Sequence, residues 1–277
     1  MPTRTLFQVM LLVAGLIVTG GVAGAQGSPA SRTRPPAGVA AGRVEEFAQF
    51  DSTYRRTRHI WIYTPPGYDA KAPVPYPLLL AFDGREYLDT IPLPLILDTL
   101  LAGRHAPPMV AVLVDDSSFA VRLGDLANQP RMVSYLASQL LPWVRSRYHV
   151  TRDPQRTIVT GSSAGGLASA YAAFARPHLF GNVLSQSGAF WRGAAGSNGA
   201  PFEWLTGQLS AAPKKDIVFL LDVGALENHP TLGGSGPNFL DATRRFCDAL
   251  LAMGYMTIYS EVPGGVHAPR TWRERLP

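Results

Sequence analysis

From Arg58 onward, short apolar runs alternate with longer stretches whose apolar positions recur at helical spacing. The runs Ile60–Tyr63, Leu78–Phe82, Val110–Val114, Ile158–Thr160, Val183–Leu184, Ile217–Val223 and Thr257–Glu261 read as strands. Between most of them, Leu93–Leu101, Met132–Tyr148, Leu167–Ala175 and Phe239–Met253 read as helices. Such alternation predicts an α/β fold, a mostly parallel central sheet with helices on both faces. Pro142 lies inside the second helical stretch and predicts a kink or a break there. No repeat of solenoid period is visible, and no second domain has room.

Upstream of Arg58 the pattern changes. Arg4, the apolar run Leu6–Val18 and the small residues Ala23-Gly24-Ala25 have the layout of a secretory signal, with cleavage expected after Ala25. The apolar run is shorter than the ~20 residues of a spanning helix, so no stable membrane span is expected after cleavage. No cysteine follows the small residues, which argues against a lipoprotein anchor. Residues 26–42, mostly Ala, Gly, Pro, Ser and Arg, have little to bury and are expected to be a disordered linker. Residues 43–277 are then one domain, in the periplasm or secreted. A hydrophobic content of 46% against 16% charged residues suits a single well-filled core. The only cysteine, Cys247, cannot form an internal disulfide and is expected as a buried small hydrophobe. A net charge of +5 mildly favours acidic ligands. The basic residues are scattered with no aromatic stripe, so nucleic acid is not expected as a partner.

Ligands of open α/β sheets gather at the carboxyl ends of the strands. Asp83-Gly84, Asp115-Asp116, Ser163, the segment from Asp222 to Glu227, and His267 all follow predicted strands. Ser163 is the centre of Gly161-Ser162-Ser163-Ala164-Gly165, between a β-branched run and an alanine-rich helix. A serine at the tip of such a turn is held strained, and a Cβ on either flank would clash. The following helix end favours the negative charge that develops in acyl transfer. A serine hydroxyl needs a base, and the base a carboxylate. Of the six histidines, His178, His229 and His267 lie beyond Ser163. His267 follows a strand and the flexible Pro263-Gly264-Gly265, and is preferred as base. Asp222, Glu227 and Asp241 are candidate acids; Glu227 is preferred because it lies on the loop after its strand, whereas Asp222 lies within it. The oxyanion hole needs N–H groups from Ala164 and from Gly84 or Arg85.

Taken together, these stretches resemble the enterochelin esterases and the wider group of esterases related to them, from about Arg58 to Leu276. The matching segments are Leu80-Ala81-Phe82-Asp83-Gly84, Leu140-Leu141-Pro142-Trp143, Gly161 to Gly166, Phe180 to Gly188, Asp222-Val223-Gly224 with Glu227, and Pro263-Gly264-Gly265 with His267 ahead of Trp272-Arg273. The resemblance implies an α/β-hydrolase fold and a metal-free serine esterase without cofactor, in which Ser163, His267 and Glu227 act together. It suggests a small-molecule ester substrate, with anionic catecholate siderophore trilactones as one class. Acyl transfer, as in mycolyltransferase relatives of the fold, and a catalytically silent binding protein are the alternatives. Arg122 stands as a substrate ligand or as an ion-pair partner of Asp125. Trp191 and Arg192, with Phe202 and Trp204, stand where a cap over the site would form. The chain departs from the family in ending at Pro277, short of the usual closing helix.

Overall fold

The computed structural model describes residues 37–115, 119–195, 197, 202–231 and 236–276. The expected signal, the first part of the expected linker and Asp116 lie outside the described residues. Among the described residues, eight strands form one sheet in the order β1-β2-β4-β3-β5-β6-β7-β8. The strands are β1 (Arg43–Asp51), β2 (Arg56–Thr64), β3 (Leu78–Phe82), β4 (Val110–Val114), β5 (Thr157–Ser162), β6 (Asn182–Gln186), β7 (Val218–Gly224) and β8 (Met256–Val262). The β1/β2 and β2/β4 pairs are antiparallel, and every pair from β4 through β3 to β8 is parallel. This is the α/β-hydrolase arrangement, with the mostly parallel sheet that the alternating pattern predicts.

The central strands are apolar at consecutive positions because both faces are covered. Leu78, Leu80 and Phe82 of β3 join one core with Ile60, Ile62, Val110, Val112 and Val114. Leu79 and Ala81 join the opposite core with Trp61, Tyr63, Ala111 and Leu113. The first core is closed by helices α3 (Phe119–Leu126), α4 (Pro130–Tyr135), α5 (Leu141–Arg147), α6 (Ala164–Ala175), α7 (Trp204–Ser210) and α8 (Phe239–Ala252). The second is closed by α1 (Gly84–Asp89), α2 (Leu93–Ala102) and Trp272 of α9 (Pro269–Arg275). Cys247 is buried in the first core, 4% exposed.

Two local features have clear causes, the irregularity expected at Pro142 and a strand that the sequence did not show. The stretch Met132–Tyr148 is one continuous path, but Leu136–Leu140 between α4 and α5 is a π-turn. Pro142 has no N–H for the carbonyl four residues back, and the turn widens so that the Leu141 N–H bonds the Leu136 carbonyl instead. Strand β1 was not predicted. It is an edge strand whose residues alternate between exposed and half-buried, and Phe50 stays 63% exposed, so its apolar signal is weak.

Candidate active site

Ser163 stands between the end of β5 and the first residue of α6. Its backbone angles, φ 56° and ψ −118°, are strained for a residue with a Cβ. The strain is held from several sides: the Ser163 N–H bonds the Gln186 carbonyl at 2.9 Å, and its carbonyl accepts from Leu167 at 3.1 Å and Ala189 at 2.9 Å. The glycines around it are required by close approach. A Cβ on Gly161 would sit 2.5 Å from the Gly165 carbonyl carbon, and one on Gly165 would sit 2.6 Å from Asp83 Oδ2.

The parallel register of β5, β6, β7 and β8 gathers distant residues beside that hydroxyl. Ser163 Oγ lies 3.0 Å from His267 Nε2, and His267 Nδ1 lies 2.7 Å from Glu227 Oε2. A carboxylate can only accept, so Nδ1 carries the hydrogen donated to Glu227. In the neutral ring Nε2 is then left to accept the Ser163 hydroxyl proton. The Glu227 side chain is 1% exposed and that of His267 32%, which places a sealed carboxylate behind an imidazole open to the cleft. Burial pushes the Glu227 carboxyl up, but hydrogen bonds from His267 and Ser187, the nearby imidazole charge and the Gly224 N–H outweigh it, leaving the group below its ordinary 4.5.

Glu227 is held by residues to which the sequence reading gave no role. Ser187, in the left-handed region at φ 46°, donates its hydroxyl to Glu227 Oε1 at 2.6 Å. The same oxygen atom of Ser187 accepts from Trp272 Nε1 at 3.0 Å and from Arg275 Nη1 at 3.1 Å. Trp272 also meets the His267 ring edge-on at 5.0 Å, and Phe239 lies 4.1 Å from its other side. Helix α9, which the sequence reading did not identify, thus packs on both His267 and the Glu227 network. The signal available in the sequence was Ser187-Gly188 shortly after the predicted strand Val183–Leu184.

Asp222 is elsewhere engaged: its Oδ1 pairs with Arg275 Nη1 at 2.6 Å inside the core. Burial holds its carboxyl above the ordinary value, against the opposing pull of Arg275. Asp241 accepts from Asn238 at the start of α8, and His178 and His229 are both exposed, His229 on the loop that carries Glu227. Of the two readings of Arg122, the one that pairs it with Asp125 is corrected. Arg122 grips Asp83 with Nε and with Nη2 at 2.7 Å, and Nη2 also reaches the Ser162 carbonyl at 3.0 Å. Asp125 faces the fully buried Arg58, 2.7 Å away, and Arg56, both at the start of β2.

Ala164 opens α6, and Gly84 and Arg85 open α1, so none of their N–H groups has an acceptor within its own helix. Trp191 is buried edge-on against Phe239 at 6.0 Å. Arg192 stacks on the Trp191 ring at 5.1 Å; burial, then the positive charge of Arg122, lowers its guanidinium. It lines a cavity of about 200 Å³ with Leu123, Gly124 and Gln129. Phe202 is 40% exposed, whereas Trp204 packs on Tyr171 of α6. Among the described residues, no group of His, Cys, Asp and Glu is arranged to hold a metal, and no helix is long and apolar enough to cross a membrane.

The chain and its fold have known relatives. The chain is 29% identical to the iron(III) enterobactin esterase of Escherichia coli O6:H1 over 225 residues, which cover 80% of this chain and 52% of that protein. It is 36% identical to the iron(III) enterobactin esterase of Dickeya dadantii over 134 residues, covering 48% of this chain and 30% of the other. It thus spans about half the length of these curated relatives, or less. The crystal structure of the Shigella flexneri enterobactin esterase in the presence of enterobactin superposes with a TM-score of 0.73 at 25% identity, covering 84% of this chain and 56% of that one. A ferulic acid esterase of Anaeromyces mucronatus shares the fold at a TM-score of 0.66 and 20% identity, covering 87% of this chain and 90% of that one. The profile of the Putative esterase family matches residues 52–277, and the chain belongs to that family, on its enterochelin esterase-like side.

Proposed function

We propose that this chain is an exported serine esterase that cleaves carboxylic esters of small molecules through an acyl-enzyme on Ser163. The observation that carries the reading is the continuous relay Ser163 Oγ, His267 Nε2, His267 Nδ1, Glu227 Oε2, with separations of 3.0 and 2.7 Å. In this reading Ser163 Oγ attacks the ester carbonyl carbon as its proton passes to His267 Nε2. The C=O bond opens, and its oxygen takes the negative charge opposite the N–H groups of Ala164 and of Gly84 or Arg85. The intermediate collapses, the bond to the alcohol oxygen breaks, and His267 returns the proton to that oxygen. Water then repeats the sequence on the acyl-serine and releases the acid. Glu227 stays ionised throughout, keeping the ring in one tautomer and balancing the imidazolium.

Trp191, Arg192 and Arg122 border the side where the substrate would lie. The relatives' names make a ferric catecholate trilactone one ester to try. The test is hydrolysis of aryl esters, acetylated and feruloylated sugars and ferric enterobactin by the wild type beside Ser163→Ala. Turnover of at least one class in the wild type, lost by a factor of about 10³ or more in the variant, is expected. Equal rates in the two proteins overturn the reading. Added alcohols that divert the acyl group from water would instead mark an acyltransferase. Export rests on Arg4, Leu6–Val18 and Ala23-Gly24-Ala25. The amino-terminal sequence of the mature protein should begin at Gln26, and an intact Met1 removes the proposal.

A further inference from the structure

Beside the relay stands a carboxylate that it does not use. Glu86 lies in the first turn of α1, at the strand ends where Gly84 and Arg85 present their N–H groups. Its Oε1 accepts from the hydroxyl of Ser162, the residue before Ser163, at 3.0 Å. Among the described residues Glu86 has no ion-pair partner, and its Oε2 is not among the buried polar atoms left without one. The side chain is partly exposed, so this second oxygen is open to solvent beside the Ser162-Ser163 turn.

The place of Glu86 is set by that bond, because Ser162 precedes Ser163, whose Oγ faces His267 Nε2 at 3.0 Å. Burial and then the negative charge of Asp83 raise the Glu86 carboxyl, while the Ser162 hydroxyl, Arg122 and His267 pull the other way. Arg122 already grips both oxygens of Asp83. A partly dehydrated carboxylate with one oxygen fixed and one open is a ready acceptor for an O–H or N–H of a ligand, and it repels an anionic group at the same place.

Resting on the esterase reading above, we infer that Glu86 forms a subsite beside Ser163 for a hydroxyl or ammonium group of the ester. It is a specificity-determining residue on the α1 side of the cleft. A polyanionic ester would have to keep its charge away from Glu86.

The test uses two matched sets of esters, one varied in the acyl part and one in the alcohol part. Each carries a methyl, hydroxyl, ammonium or carboxylate group at the same carbon. kcat/KM is measured at pH 8 for the wild type, Glu86→Gln and Glu86→Ala. In at least one set the wild type should favour ammonium over carboxylate by about tenfold or more. Glu86→Gln should lose most of that ratio while keeping the hydroxyl preference over methyl, and Glu86→Ala should lose both. Raised salt should shrink the ammonium preference in the wild type only. A merely structural role for Glu86 would scale all rates together. Ratios equal in all three proteins, with Ser163-dependent turnover intact, overturn this inference alone. Absence of Ser163-dependent turnover overturns the esterase reading and this subsite with it.

Discussion

At the scale of single residues, Ser187 concentrates the most geometry in one atom. Its hydroxyl has one hydrogen and two lone pairs, and all three are used, on Glu227, Trp272 and Arg275. Ser187→Ala would leave two buried donors without an acceptor and Glu227 Oε1 short of a donor. We expect kcat to fall by up to about 100-fold through misplacement of the carboxylate, with KM little changed, measured by steady-state ester hydrolysis. Glu227→Gln removes the acceptor that fixes the ring tautomer, and a loss of about 10²- to 10⁴-fold in kcat is expected in the same assay. Glu227 also sets an acid limit. Its folded carboxyl titrates below its ordinary 4.5, so its stabilising bonds are complete above that pH and are lost as pH falls through the lower folded value. Asp222, raised by burial, has the opposite sign: protonating it relieves a cost of the folded state. The wild type should therefore lose stability below about pH 4.5 more steeply than Glu227→Gln, read from urea midpoints across an acid series. Equal acid limbs in the two proteins would contradict this assignment.

Among the elements, α9 is short yet ties the site to the sheet. Arg275, 2% exposed, pairs with Asp222 in β7 and touches Ser187 at the end of β6, while Trp272 flanks His267. A helix of seven residues has almost no stability of its own, so these contacts must hold it. Asp222→Asn removes the nearer counter-charge of Arg275, leaving Glu227 Oε1 3.6 Å from Nη2, and should loosen α9 from β7, read as a lower urea midpoint. If α9 is what steadies His267, the same substitution should lower turnover even though Asp222 touches neither Ser163 nor His267. Unchanged stability and activity together would show that the pair is not needed. Helix α3 has a comparable double attachment: Arg122 reaches Asp83 and the Ser162 carbonyl, while Asp125 reaches Arg58 and Arg56. Side chains three apart on one helix thus point into different networks, although their spacing alone would have allowed them to meet.

For the molecule as a whole, the only cysteine, Cys247, is buried, so cohesion comes from the two apolar cores on either side of the sheet. Thermal unfolding should be unchanged by reductant, and a shift of several degrees on adding it would reveal an intermolecular disulfide. The runs at Leu78–Phe82 and Val110–Val114, the helical spacing of Phe239–Ala252 and the glycines around Ser163 were legible because each is a local pattern. They determined the class of fold, the position of the strained serine and the loops on which a base and an acid would lie. Strand β1 and helix α9 were not legible, since a half-exposed edge strand and a two-turn helix are stabilised by contacts made elsewhere. The choice of Glu227 as the group facing His267, the partner of Arg122 and the part of Ser187 were decided only when parallel pairing set the strand ends side by side. Ser163 and His267 are 104 residues apart and Arg122 and Asp83 are 39 apart, and no periodicity within an element encodes such pairings. A local sequence specifies which face of its own element a side chain occupies; the register between strands specifies what that face meets.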